Sequence, residues 1–247
     1  MKRKKRKPPT SPFFIVAPIL SIFTLSALFG MIFMYRGQPN RENPAAIAVP
    51  DYLAALLINE VPFPGEPAFK NADDSKDAMR AILWTLHNRR AAPPPGYTRW
   101  HIAATPSDNL VDVITAFNQM DGFYVARNNR HTYAPRVGER IGYLRRLAQR
   151  DDTPTISTLL EFAETAALNY AQEKPLPFPD PFAKLTMIDE VEVTGSAYGW
   201  MMDDLQFHPG GNYVRIPDEH GGGLGGNRFF TLRKTPLPPA EKNEPEP

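Results

Sequence analysis

The sequence predicts a mainly α-helical domain with a small strand-containing portion towards its C-terminal end, which is an α+β fold. Between residues 51 and 173, apolar residues recur at the three- and four-residue spacing of amphipathic helices. From about residue 189 the pattern changes to alternating and β-branched residues, separated by glycine-rich segments at 210–211 and 221–226. No internal repeat of 20–50 residues is visible, so we expect one domain rather than a repeat array.

Five helices are predicted in this domain. The first covers residues 51–60 and is ended by Pro62 and Pro64. The second begins near residues 73–75, where short polar side chains can cap it, and it closes near Asn88 and Arg89. The remaining helices are expected at residues 107–117, 136–150 and 155–173, and the strands near residues 191–193, 213–216 and 228–233.

The N-terminal 35 residues combine a basic cluster with a long apolar run. Six Lys or Arg residues lie within the first seven positions, and residues 13–35 carry no charge. At about 1.5 Å per residue, a helix of this length matches the roughly 30 Å hydrocarbon core of a bilayer. We therefore expect a cytoplasmic segment (1–12), a single transmembrane helix (13–35) in the inner membrane and a Pro-containing linker (36–49). The domain at 50–234 would lie outside the cytoplasm.

A cleaved signal peptide is the alternative interpretation of this start. Such peptides have an apolar region of about 7–15 residues that ends at a small-x-small site. Here the run is longer, and residues 28–34 stay bulky to its end. The pattern therefore favours an uncleaved anchor.

Composition excludes several classes of function. After the basic start, 22 basic residues stand against 27 acidic ones, a formal charge of −5, which argues against nucleic-acid binding through a broad basic surface. The chain has no cysteine, so neither a disulfide framework nor a thiol nucleophile is possible. The Pro- and Glu-rich residues 235–247 are expected to form a disordered tail.

The search for catalytic motifs leaves few candidates. The five histidines are scattered without metal-ligand spacing, so we expect no catalytic metal and no cofactor. A Ser-His-Asp hydrolase is disfavoured because there is no G-x-S-x-G motif. The glycines at 221–226 are not followed by the Lys-Ser/Thr of a phosphate-binding loop, which favours a turn.

Glu60 is the leading candidate for acid-base chemistry. It ends an apolar helix, and bulky apolar and proline residues follow it. Poor solvation and the negative end of the helix dipole both favour a protonated carboxyl, which can donate a proton. Glu66, six positions later, is the competing candidate, and an ordinary exposed Glu60 is the alternative interpretation.

Four features follow one another in an informative order. They are Glu60 at the end of its helix, Asn88-Arg89 at the end of the next, Asp112-Val113-Ile114 with Gln119, and Gly225-Gly226 before Phe229-Phe230. In this order, over about residues 51–233, the chain resembles the cell-wall hydrolase family that includes spore-cortex-lytic enzymes, whose domains are lysozyme-like. The chain departs from that family in having Val61, rather than Ala, after the first Glu of its E-A-x-x-E motif. Its second Glu also comes later than usual.

The resemblance implies cleavage of the β-1,4 glycosidic bond of peptidoglycan, as a lysozyme-like hydrolase or a lytic transglycosylase. It assigns Glu60 as general acid and base, with Glu66 as its competitor. Gln119 and Tyr124 are candidates for binding the sugar, although both could equally be core or rim residues. Asn88 and Arg89 would brace the segment that carries the catalytic Glu; the alternative is that Arg89 and Arg90 only complement the dipole of their own helix. The competing hypothesis is a non-catalytic envelope protein of lysozyme-like ancestry that binds peptidoglycan or a secretion or division partner.

Overall fold

The computed structural model describes residues 47–116, 119–150, 154–202 and 211–237, and within these ranges it confirms an α+β fold. The helices are α1 (Val49–Glu60), α2 (Ala72–Arg90), α3 (Arg99–Ala103), α4 (Leu110–Thr115), α5 (Pro135–Ala148) and α6 (Pro154–Ala171). The strands are β1 (Phe123–Val125), β2 (His131–Tyr133), β3 (Met187–Ile188), β4 (Val191–Glu192), β5 (Gly199–Met202), β6 (Tyr213–Arg215), β7 (Gly223–Leu224) and β8 (Asn227–Leu232).

The predicted cytoplasmic segment, the transmembrane helix at 13–35 and most of the linker lie outside the described residues. Across the ranges that the structure describes, no helix is both long enough and apolar enough to cross a bilayer. Residues 235–237, the start of the predicted tail, are described. There the backbone N–H of Leu237 donates to Asn212 Oδ1 at 2.7 Å.

Helix α1 is the central element of the core. Every residue from Tyr52 to Ile58 is buried, so the helix is covered on all sides by α6, α5, α2 and the β1–β2 hairpin. Pro50 lies in its first turn, where the missing N–H has no intrahelical partner to lose. The helix ends at Glu60 because Val61 precedes Pro62, and a residue before proline is disfavoured in the α conformation.

Helix α2 lies beside the segment that follows α1. The side chain of Asn71 caps its N-terminus by accepting from the Asp74 N–H at 2.9 Å. In the same turn, the buried Ser75 hydroxyl donates to the Pro62 carbonyl at 2.8 Å. Arg99 donates to the carbonyls of Arg89, Arg90 and Ala91 at the other end of the helix. Both ends of α2 are therefore held by side chains.

The C-terminal sheet is built around β8. Strands β5 and β6 pair with it on opposite sides, β7 pairs with its first residues, and all these pairs are antiparallel. The register places Trp200 of β5 opposite Phe229 of β8. Phe229 is fully buried and packs on Phe182, with 5.4 Å between ring centroids. The sheet thus carries β5, and with it Trp200, against the helical core.

Several predicted boundaries differ from the observed ones. The helix expected at 107–117 begins only at Leu110, after Asn109 caps it, and ends at Thr115. Helix α3, the β1–β2 hairpin and strand β5 were not expected from the sequence pattern. This helix and each of these strands are only three to five residues long, which is too short to show a hydrophobic periodicity.

The turn between β7 and β8 requires glycine at two successive positions. Gly225 and Gly226 have φ angles of +54° and +69°, which L side chains rarely adopt. A Cβ atom on Gly225 would lie 2.7 Å from the Cβ of Ala78, and one on Gly226 would lie 2.7 Å from the Cβ of Ala68. The turn therefore packs backbone directly against α2 and the loop before it.

We predict that Gly225→Ala destabilises the domain by about 2–4 kcal/mol, because it combines left-handed strain with a steric clash. Gly221→Ala is the matched control: its φ is +76°, but nothing lies within 4 Å of an added Cβ. It should cost only about 1 kcal/mol. Urea unfolding of both variants measures the difference, and equal losses would contradict close packing of this turn.

Candidate active site

A groove of about 680 Å³ opens at the end of α1. It is lined by Glu60 and residues that follow it, by Arg136 and Arg140 of α5, and by the Gly225-Gly226 turn. Its size is that of sites that take small molecules or one or two sugar rings. Glu60 thus lies in a cleft and is only partly exposed, as a proton donor requires.

The Glu60 carboxyl accepts two hydrogen bonds from neutral donors. The indole Nε1–H of Trp200 donates to Oε2 at 3.0 Å, and Asn59 Nδ2 donates to Oε1 at 3.1 Å. Burial raises the pKa of this carboxyl above its ordinary value, while these two hydrogen bonds and the charge of Arg140 partly offset the rise. Glu60 is therefore a carboxyl in a cleft whose neutral form persists to higher pH than that of an exposed glutamate.

Glu66, the competing candidate, is occupied by an ion pair. Its two oxygens accept from Arg140 Nη2 at 2.8 and 2.6 Å, Oε1 also accepts from Nε at 3.0 Å, and Oε2 accepts from the Phe63 N–H at 2.7 Å. Both oxygens of this carboxylate are thus engaged as acceptors of charge-assisted hydrogen bonds. The geometry therefore separates the two acids and favours Glu60 as the proton donor.

Arg140 and Asn227 satisfy the carbonyl groups at the end of α1. Arg140 donates to Ile58 O and, through Nη2, to Val61 O at 3.0 Å. Asn227 Nδ2 donates to the Glu60 carbonyl at 2.6 Å. These carbonyls have no intrahelical partner, and a cation beside them complements the helix dipole. The backbone that carries Glu60 is thus fixed from two sides.

Asn88 and Arg89 hold the start of β5 rather than the segment of Glu60. Asn88 Nδ2 donates to Ala197 O at 3.2 Å, and Arg89 Nε donates to Tyr198 O at 2.7 Å. Both side chains are buried. Since Trp200 follows two residues later, their connection to the Glu60 carboxyl runs through the strand.

Gln119 and Tyr124 occupy different positions from those of the groove-lining residues. The Gln119 N–H closes a turn by donating to Ala116 O at 3.1 Å, and Tyr124 is 40% exposed on β1. Neither lines the groove in the part of the chain that the structure describes. The loop between them does approach it, because Asp121 pairs with Arg136 at 2.6 Å.

Three residues of the site were not identified from the sequence: Trp200, Arg140 and Asn227. Asn227 directly follows the glycine pair, a position that could have drawn attention to it. Arg140 and Trp200 lie 80 and 140 positions from Glu60, and no local pattern marks them. Among the described residues, no three His, Asp or Glu side chains come together as metal ligands.

The comparisons with known proteins give no relative. No family model, curated protein or solved structure matches this chain.

We predict that Glu66→Gln destabilises the domain by about 1–3 kcal/mol, because it weakens a charge-assisted bidentate contact and leaves Arg140 with a poorer partner. Glu164→Gln is the matched control. Glu164 pairs with Arg145 at 2.8 Å, but both side chains are about half exposed. Such surface pairs contribute less than about 1 kcal/mol. Thermal unfolding compares the two variants, and similar losses would show that the Glu66 pair does not hold the end of α1.

We predict that Glu60→Gln gains stability relative to wild type as pH rises. Because the folded-state pKa of Glu60 is raised, the folded protein retains a proton that the unfolded chain releases above about pH 4. The contribution of Glu60 to wild-type stability is therefore fully present below the unfolded pKa, and it is lost as pH rises through the folded pKa. The variant has no such loss. Unfolding measured between pH 4 and 8 tests this, and a constant difference would exclude a raised pKa.

Proposed function

We propose that this protein is a peptidoglycan glycosidase with a lysozyme-like domain, held at the inner membrane by residues 13–35. The observation that carries the proposal is the Glu60 carboxyl, which is poorly solvated, forms no ion pair with a cation of the described residues, and lies in a groove of sugar-binding size. The order of Glu60, Asn88-Arg89 and Gly225-Gly226 along the chain supports the family resemblance. Of these features, Glu60 and the Gly225-Gly226 turn line the groove.

The number of available carboxyl groups favours a lytic transglycosylase. Most glycosidases use two carboxyl groups, one as acid and the other as base or nucleophile. Of the residues described around the groove, Glu66 is the second acid, and Arg140 holds it in a bidentate pair. A single carboxyl is sufficient when the substrate supplies its own nucleophile, as the 6-hydroxyl of a muramic residue does.

In this mechanism Glu60 acts twice. Its protonated carboxyl first donates to the glycosidic oxygen as the C1–O bond of the muramic residue breaks, and positive charge develops at C1. The resulting carboxylate then takes the proton of the 6-hydroxyl while that oxygen bonds to C1. An anhydro ring forms without water, and Glu60 regains its proton. The Trp200 and Asn59 donors stabilise the carboxylate between the two steps.

We predict that the purified full-length protein releases anhydro-muropeptides from sacculi, and that Glu60→Gln reduces release by at least about a hundredfold, because the amide is too weak an acid to protonate the glycosidic oxygen. Mass spectrometry of the soluble products measures the release and identifies the anhydro ring. Glu139→Gln, an exposed residue of α5, makes the same chemical change outside the groove and should retain wild-type activity.

The other outcomes are informative. Products with reducing ends would show hydrolysis by water in place of ring closure. A wild-type protein that sediments with sacculi but releases nothing would instead establish the non-catalytic, glycan-binding envelope protein. Full activity of Glu60→Gln would overturn the assignment of Glu60.

A further inference from the structure

Trp200 lies between the Glu60 carboxyl and the buried guanidinium of Arg89. Its indole N–H donates to Glu60 Oε2 at 3.0 Å. The guanidinium carbon of Arg89 lies over the same indole ring, 5.2 Å from its centroid. Three side chains from α1, β5 and α2 thus form a continuous series: carboxyl, indole and guanidinium.

Arg89 is an unusual residue to find in this place. It is 5% exposed, its Nη1 has no hydrogen-bond partner, and it forms no ion pair with a carboxylate among the residues that the structure describes. A buried charge without a counter-ion is costly unless other groups stabilise it. Here the stabilising groups are the Tyr198 carbonyl, which accepts from Nε at 2.7 Å, and the π face of Trp200.

The stacked cation affects the indole in two ways. It restricts rotation of the ring, so that the N–H stays directed at Glu60. It also withdraws electron density from the ring, which makes the N–H a stronger donor. A donor to the charged form of a carboxyl favours that form. The effect of Arg89 on Glu60 is therefore transmitted through the orientation and polarity of Trp200.

From these contacts we infer that Trp200, with Arg89 stacked behind it, is the positioning residue that stabilises the ionised form of Glu60 in the groove. The inference deepens the proposed function, because a carboxyl that must serve first as acid and then as base needs both forms to be accessible. Trp200 is a positioning residue in this scheme, since it acts through Glu60.

Other charged groups also face Glu60, and the test must separate them from Trp200. Arg140 of α5 favours the carboxylate, and Asp121 of the loop before β1 disfavours it. Glu66 and Arg136 line the same groove and are paired with Arg140 and Asp121. Substitution of Trp200 leaves all four of these side chains in place.

The experiment compares two tryptophan variants of the full-length protein. Trp200→Phe keeps an aromatic ring and removes the N–H. Trp84→Phe is the matched control, since the Trp84 N–H donates at 3.1 Å to a backbone carbonyl, that of Phe178, and Trp84 does not line the groove. NMR of ¹³C-labelled glutamate carboxyl groups, with the Glu60 signal assigned from Glu60→Gln, follows the titration directly.

We expect Trp200→Phe to move the Glu60 titration to higher pH and Trp84→Phe to leave it unchanged. On the proposed function, the alkaline limb of kcat/KM moves up by the same interval, because Glu60 must be protonated for the first step. The kcat of Trp200→Phe falls about tenfold or more, with little change in KM. An unchanged Glu60 titration in Trp200→Phe, or an equal shift in Trp84→Phe, overturns the inference.

Two further comparisons ensure that the experiment tests the role of Trp200 even if one variant does not fold or the wild type has no activity. If Trp200→Phe fails to fold, replacement of Trp200 by 3-benzothienylalanine, which exchanges the N–H for sulfur at nearly constant shape, gives the same expected shift. Without that shift, the inference fails. If the wild type cleaves no glycan, the proposed function fails, but the NMR titration still decides the role of Trp200.

Discussion

The end of helix α1 is the constraint on which the rest of this structure depends. A helix that is buried on all sides must satisfy its last carbonyl groups without water. Here Arg140 and Asn227, from α5 and β8, supply the donors. Because these residues fix the backbone of Glu60, the packing of the core also determines the geometry of the groove. The Arg140 guanidinium serves both, since its Nε and Nη2 also donate to Glu66.

Much of the helical part of the fold could be predicted from the sequence. The end of α1 followed from Pro62, and α2, α5 and α6 followed from apolar residues at helical spacing. The short elements could not be predicted, because a strand of three or four residues carries too few positions for a pattern. Strand β5 is the important omission, since its Trp200 completes the surroundings of Glu60.

The candidate site, too, could be predicted only in part from the sequence. Glu60 could be selected from local sequence, because helix end, apolar neighbours and proline all lie within a few residues of it. Its preference over Glu66 could not, since it depends on where the guanidinium of Arg140 lies, and that is set by how α5 packs on α1. The same limit applies to Asn88 and Arg89. The resemblance assigned them to the segment of Glu60, but the backbone that they hold lies 109 positions further along the chain.

The contacts around Glu60 also bear on when the protein becomes active. In a chain that is still emerging or only partly folded, this side chain is an ordinary glutamate in water and is ionised at neutral pH. Its pKa rises only when the folded core buries it, and the groove around it is complete only after the Gly225-Gly226 turn, near the C-terminal end of the chain, has packed on the helices. On the proposed function, a glycan-cleaving activity that could damage the cell wall would thus be withheld until folding is complete.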